Sequence, residues 1–199
     1  MAIKNIFLDR DGTIIRDMHY LSDPEKIEFI AGAVEAMREM KELDLRIFLV
    51  TNQSGIGRKY LTEEEYHQVQ DRLGGMLADE GIEISASMYC PHKPEDKCAC
   101  RKPATGMWNE LSEICGLSAG ETIIIGDKSS DIFFGHNCGF RASVLTLTGH
   151  GLKNMKELGI TERSGEWFEP GRQPAGPTVV ARDINSAWSW IKQRFFDVN

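Results

Sequence analysis

Five short, mostly apolar runs divide the chain: Ile3 to Leu8, Arg46 to Val50, Ser85 to Tyr89, Thr122 to Ile125 and Ser143 to Leu147. Their length and their β-branched and aromatic content predict strands. Between them the apolar positions recur at helical spacing. Thr62 to Asp79 predicts a helix opened by a capping box, with Thr62 at the cap and Glu65 three residues on. Its buried stripe is expected at Tyr66, Val69, Leu73 and Met76. Thr105 to Cys115 repeats the pattern through Met107, Leu111 and Ile114 and stops at Gly116. A helix lies within Gly32 to Leu43, and a last one from Ile184 gathers Ala187, Trp188, Ile191 and Phe195 on one face. Strands alternating with helices predict a doubly wound, mostly parallel α/β sheet of the Rossmann-like kind.

Length and composition narrow this further. The 199 residues fit one domain spanning the whole chain, large enough for a real core. No apolar stretch reaches the ~20 residues of a membrane helix. The start, Met1-Ala2-Ile3-Lys4-Asn5, has no signal-peptide pattern, so a cytoplasmic protein is expected. A net charge of −7 argues against a nucleic-acid partner, which draws on clustered Lys and Arg. No obligatory protein partner is evident. Only about 40 residues separate Asp11 from Thr51, and Lys93 to Ala99 is shorter still, so neither interval has room for a cap domain. Gly149 to Asp183 is poorly patterned, and Pro170 to Pro177 reads as loop. His150, Lys153, Trp167 and Phe168 in that segment could rim a pocket, if it is more than a surface excursion.

Asp9-Arg10-Asp11-Gly12-Thr13 follows the first strand. Two carboxylates two residues apart, beside a glycine turn, suit an aspartyl nucleophile next to a proton donor. Thr51-Asn52 ends the second strand, Arg101-Lys102-Pro103 precedes a helix, and Gly126-Asp127-Lys128-Ser129-Ser130-Asp131 ends the fourth. Parallel sheets bind ligands at this strand edge. Helix capping is the alternative use for Asp127 and Asp131. Arg10, Arg58, Lys59, Arg101, Lys102 and Lys128 fall in or beside these loops, enough for a local positive pocket, although Arg58 and Lys59 also read as solvated surface charges.

Cys90-Pro91-His92 and Cys98-Ala99-Cys100 lie within eleven residues. Thiolate and imidazole ligands favour tetrahedral zinc, and four protein ligands make a structural site. Free or disulfide-linked cysteines are the alternative. Cys115 and Cys138 read as buried thiols, and His19, His67, His136 and His150 have no partners visible in the sequence.

From about residue 3 to about residue 150, these segments in this order resemble the haloacid-dehalogenase-like phosphatases. The zinc-type loop running into Arg101-Lys102-Pro103, with Thr51-Asn52-Gln53-Ser54-Gly55-Ile56-Gly57, is similar to the D-glycero-D-manno-heptose 1,7-bisphosphate 7-phosphatase and histidinol-phosphatase group. The resemblance implies a nearly capless, magnesium-dependent phosphatase acting on a small sugar phosphate. The heptose bisphosphate is favoured; histidinol phosphate or another small phosphomonoester is the alternative. It implies Asp9 as nucleophile, Asp11 as acid/base, and Thr51, Asn52 and Lys102 around the phosphoryl oxygens. Arg101 and Lys128 would face substrate. Magnesium would take the side chains of Asp9 and Asp127 and the backbone carbonyl of Asp11. Asp131 would steady water or a lysine nearby. Two departures stand out: Thr148-Gly149 follows Leu147 where arginine is expected, and the tail is long.

Overall fold

The computed structural model describes residues 2–161, 163–171 and 176–196. Seven strands among them form one sheet: β1 (Asn5–Leu8), β2 (Arg46–Asn52), β3 (Ala86–Cys90), β4 (Thr122–Gly126), β5 (Ala142–Thr146), β6 (Trp167–Phe168) and β7 (Val179–Ala181). Their order is β3-β2-β1-β4-β5-β7-β6. All neighbours pair in parallel except β6 with β7. The five strands expected from sequence are present, with no end shifted by more than two residues. The mostly parallel, doubly wound reading holds.

Alternation along β1 sorts its side chains onto two helical layers. Ile6 and Leu8 face one layer with Ile47, Leu49, Ile123 and Ile125. That layer is covered by α1 (Ala33–Glu42), α3 (Glu63–Asp79) and α7 (Ile184–Phe195). Phe7 points the other way, stacked on Phe48 with ring centroids 5.0 Å apart and met edge-on by Trp108. Here α4 (Gly106–Cys115) and α5 (Ser129–Cys138) close the core. Truncating a fully buried phenylalanine such as Phe7 costs about 3–5 kcal/mol. A smaller cluster around Leu145, Val180 and Met155 seats α6 (Gly151–Glu157).

The capping box at Thr62 and Glu65 is formed, as expected. Two stripes differ in detail. In α4 the buried face is Met107, Trp108 and Leu111, whereas Ile114 is 72% exposed. In α3 Leu77 takes the fully buried position and Met76 packs at its margin. Indole area outweighs the strict repeat in the first case; in the second the two positions straddle the same stripe.

The segment from 149 to 183 is more structured than its pattern suggests. It supplies α6, β6 and β7, and β7 extends the parallel sheet beyond β5. Within the loop expected at 170–177, residues 172–175 lie outside the described residues. Trp167 and Phe168 form the far edge strand; Phe168 packs with Val180 and Trp167 lies beside Trp190. They do not rim the site. His150 does.

No cap domain interrupts the interval from Asp11 to Thr51. It holds a short flap, bridged Asp11 to Ile15 and Ile15 to Phe29, a single 3-10 turn at Pro24–Lys26, and α1. Among the described residues no helix is long and apolar enough to cross a membrane.

Candidate active site

The chain leaves β1 in one direction to β2 and returns on the other side as β4. The carboxyl ends of these strands therefore diverge around a crevice, where open α/β sheets take ligands. Asp9 follows β1 directly and donates its N–H to Ile125 O at 3.0 Å. Thr13, Ile14 and Ile15 then bond back to Arg10 O, making a tight turn. Gly12 sits in it at φ +91°, and a Cβ there would stand 2.2 Å from Asp127 Oδ2. Only glycine fits both demands.

Lys102 holds the floor of the crevice. Its buried Nζ lies 2.7 Å from Asp9 Oδ1, 2.7 Å from Asp131 Oδ1 and 2.6 Å from Val50 O. Burial alone would lower the lysine pKa, but the Asp131 and Asp9 charges outweigh it and raise the pKa. Burial pushes Asp9 up, yet the charges of Lys102 and Lys128 hold it below the ordinary carboxylate value. Asp131 performs both tasks weighed for it: it pairs with Lys102 and accepts the Lys128 N–H at 3.0 Å as the capping partner of α5.

Asp127 does not cap a helix. Its Oδ2 accepts the His150 N–H at 2.7 Å, and its Oδ1 lies 3.2 Å from Lys128 Nζ. Burial, reinforced by the Asp9 and Asp131 charges, pushes its pKa up to about 7 against the pull of Lys128. Lys128 Nζ donates to Asp11 O at 3.2 Å and stands 3.7 Å from Asp9 Oδ2. Its ammonium thus addresses the same three groups that the family resemblance gives to magnesium. Asp9 Oδ2 and Asp127 Oδ1 are buried without an aligned hydrogen-bond donor. Converging carboxylates and a carbonyl, short of donors, fit a hard oxygen-seeking dication.

Thr51 and Asn52 come from the end of β2 and play different parts. Thr51 Oγ1 is 3.5 Å from Asp11 Oδ2. Asn52 exchanges two 3.0 Å bonds with the backbone of Lys102, Nδ2 to its carbonyl and N–H to Oδ1. It clamps the lysine's segment to β2. Gln53, which the sequence reading passed over, donates to Asp11 Oδ2 at 2.7 Å and to Thr51 Oγ1 at 2.9 Å. Arg10 is buried and grips Asp11 with both Nε (3.1 Å) and Nη2 (3.2 Å), its guanidinium 5.2 Å over the Tyr66 ring. Arg10 is therefore a support for Asp11 within the fold. Arg58 pairs with Glu95, and Lys59 borders a separate groove.

The thiol-rich loop sits beside this machinery. Cys90, His92, Cys98 and Cys100 converge with contacts of 3.0–3.6 Å between Sγ or Nδ1 atoms. These are not disulfides; all are free thiols. Ligands about 2.0–2.3 Å from one tetrahedral zinc would stand roughly 3.3–3.8 Å apart, so the cluster fits such an ion. Cys100 leads directly into Arg101, whose Nη1 donates to His92 O at 3.2 Å. The loop and the Lys102 segment are one piece of architecture.

The crevice is a cavity of about 240 Å³ reaching Asp9, Asp11, Thr51, Asn52, Arg101 and Lys128. Its outer wall is Asp17 and His19 from the flap, with His150 opposite. A second cavity of about 540 Å³ meets it along these same three residues. The sequence offered no signal for Asp17 or His19 at this site.

Comparison with known proteins agrees with this arrangement. The family model described as polynucleotide kinase 3 phosphatase matches residues 4–158. A Pasteurella multocida protein named D-glycero-beta-D-manno-heptose-1,7-bisphosphate 7-phosphatase is 36% identical over 152 residues, 73% of this chain and 83% of that one. A Thermoplasma volcanium protein, "Probable D-glycero-D-manno-heptose-1,7-bisphosphate 7-phosphatase", is 42% identical over 127 residues, 64% and 87% of the two chains. The crystal structure of D,D-heptose 1,7-bisphosphate phosphatase from B. bronchiseptica, complexed with magnesium and phosphate, superposes with a TM-score of 0.81 at 28% identity, covering 96% of this chain and 99% of the other. Sequence, fold and the carboxylate–lysine crevice together place the chain in the haloacid-dehalogenase-like phosphatases: it belongs to the polynucleotide kinase 3 phosphatase family, alongside the heptose bisphosphate phosphatases.

Proposed function

We propose that this chain removes the 7-phosphate from D-glycero-D-manno-heptose 1,7-bisphosphate through an aspartyl-phosphate on Asp9, with magnesium as cofactor and structural zinc in the thiol loop. The observation that carries the reading is the state of Asp9. One carboxylate oxygen is fixed by Lys102, while the other is buried, has no aligned donor and borders the cavity. Such an oxygen is oriented for attack and costs little reorganisation.

The Asp9 carboxylate attacks phosphorus as the bond from phosphorus to the sugar oxygen breaks. Asp11 gives its proton to that departing oxygen. Its carboxylate then takes a proton from water, which attacks phosphorus, releases orthophosphate and restores Asp9. Lys102 stays charged throughout, held by Asp131, and offsets the negative charge on the phosphoryl oxygens. Thr51 lies beside the Asp11 carboxylate, within reach of those oxygens, and Asn52 keeps Lys102 in register. Arg101 at the cavity wall suits the anionic remainder of a bisphosphate. Asp9, Asp127 and the Asp11 carbonyl would hold magnesium, which would supply further neutralisation of phosphoryl charge. The cytoplasm suits a protein with five unpaired cysteines.

The test is phosphate release from a panel: the heptose bisphosphate, histidinol phosphate, other small sugar phosphates and a 3′-phosphorylated oligonucleotide. The heptose bisphosphate should show the highest kcat/KM. A preference for histidinol phosphate would move the substrate within the fold, and no release from any member would remove the phosphatase reading itself.

A further inference from the structure

Asp17, His19 and His150 form a second cluster of metal-ligating side chains at the mouth of the cavity, apart from the thiol loop and from Asp9 and Asp127. One ligand atom of each lies within 4.8 Å of the others. His150 Nε2 is 3.2 Å from Asp17 Oδ2, close to the roughly 3.3 Å edge between two ligands on one tetrahedral ion. His19 Nδ1 is 4.0 Å from Asp17 Oδ1. Its side chain is 82% exposed and free of packing that would hold it away.

The two sides of the cluster are held independently of any ion. His150 is anchored through its N–H on Asp127 at 2.7 Å and opens α6. On the flap, the His19 N–H donates to Asp17 Oδ1 at 3.0 Å. His19 and Tyr20 both adopt positive φ, 51° and 67°. Lys128 Nζ, 3.7 Å from Asp17 Oδ2, opposes a cation here. It is already engaged by Asp127, Asp11 O and Asp9.

We propose that Asp17, His19 and His150 bind a borderline divalent transition ion of the zinc class at the junction of the two cavities. Two imidazoles and one carboxylate select such ions over magnesium, which prefers oxygen alone, and they leave coordination positions open. Those positions face the space where the two cavities meet. The inference concerns the chain's own side chains and stands whichever phosphate ester is the substrate.

The experiment is calorimetric titration of zinc into the full protein, its thiol loop already filled with one equivalent and magnesium in excess. One additional equivalent is expected. It should weaken by about tenfold or more in His19→Ala, whose exposed ring carries no packing, and in His150→Gln. Loss of affinity in both variants, with unchanged circular dichroism, supports the site. No additional equivalent in the parent overturns it and leaves His150 and Asp17 as a hydrogen-bonded pair. An additional equivalent that survives both substitutions also overturns it, by assigning the ion to the carboxylates deeper in the crevice. Should His150→Gln fail to fold, His19→Ala decides the matter alone.

Discussion

Cys90, His92, Cys98 and Cys100 come from one eleven-residue stretch, whereas Asp9, Lys102, Asp127 and Asp131 are brought to one edge of the sheet from segments far apart in the chain. The thiol cluster closes on itself: its ligands touch each other at 3.0–3.6 Å. The carboxylate cluster depends on everything else. Its charges are buried, three of its oxygens lack aligned donors, and Lys128 and Lys102 hold it together by ion pairs. Local assembly yields a staple whose work is architecture. Assembly at a distance yields a site under electrostatic strain, which is what chemistry on an anion uses.

Breaking the distant site should abolish chemistry and leave the fold. Asp9→Asn is nearly isosteric but cannot attack phosphorus, and turnover should fall by on the order of 10⁴-fold or more. Circular dichroism should be unchanged. Activity within tenfold of the parent would sink Asp9 as nucleophile.

Asp11→Asn should cost about 10²–10⁴ in rate yet preserve magnesium binding, because its proposed ligand is a backbone carbonyl. Calorimetry with magnesium separates the two effects. Loss of binding would mean that the Asp11 side chain, held by Arg10 and Gln53, carries the ion instead.

Breaking the local site should act on both fold and rate, the second only indirectly. The protein purified without added metal should contain one zinc per chain. Its removal should loosen the segment that Arg101 and Asn52 tie down. A displacement of Lys102 by about 1 Å can cost on the order of 10²-fold. Elemental analysis with kcat/KM before and after chelation checks this. Full activity in metal-free protein would mean that the staple and the crevice are independent.

The same contrast explains what was legible in the sequence. The thiol cluster could be read directly, because its ligands are contiguous and their chemistry is distinctive. Apolar runs gave five strands: β1, β2, β4 and β5 are buried along almost their whole length, and β3, at the edge beside β2, still carries enough apolar side chains to register. Strands of two and three residues, the edge strand β6 and its inner neighbour β7, carry too little pattern to register, and they fall in the segment that reads as poorly patterned. The carboxylate site was recognisable only because its four motifs occur in a known order; no spacing rule links Asp9 to Lys102. Asp17, His19 and His150 were not visible as a group, since only the fold brings the flap against the end of β5. Gln53 was overlooked although it adjoins Thr51 and Asn52, because an uncharged amide announces no role until its neighbour is seen to be Asp11.

A substitution remote from both clusters sets the scale against which these effects should be judged. Glu39 on α1 accepts from Trp188 Nε1 at 2.8 Å and pairs with Lys192, tying α7 to the body of the fold. The hydrogen bonds from Lys192 and Trp188 hold its carboxyl below the ordinary glutamate value of 4.5. A depressed native pKa contributes stability that is fully present above the unfolded value and is lost as pH falls through the native one. The side chain is 44% exposed, so solvent screening limits the contribution to less than about 1 kcal/mol. Glu39→Gln keeps an acceptor for Trp188 and removes only the charge. Urea unfolding should show the variant slightly weaker at pH 7, and the gap should close as pH falls through the depressed native pKa, where the parent's carboxylate is protonated as well. A gap that persists once that carboxylate is protonated would assign the tether to packing around Trp188. Activity should be unchanged at neutral pH, because neither cluster reaches this face of the sheet.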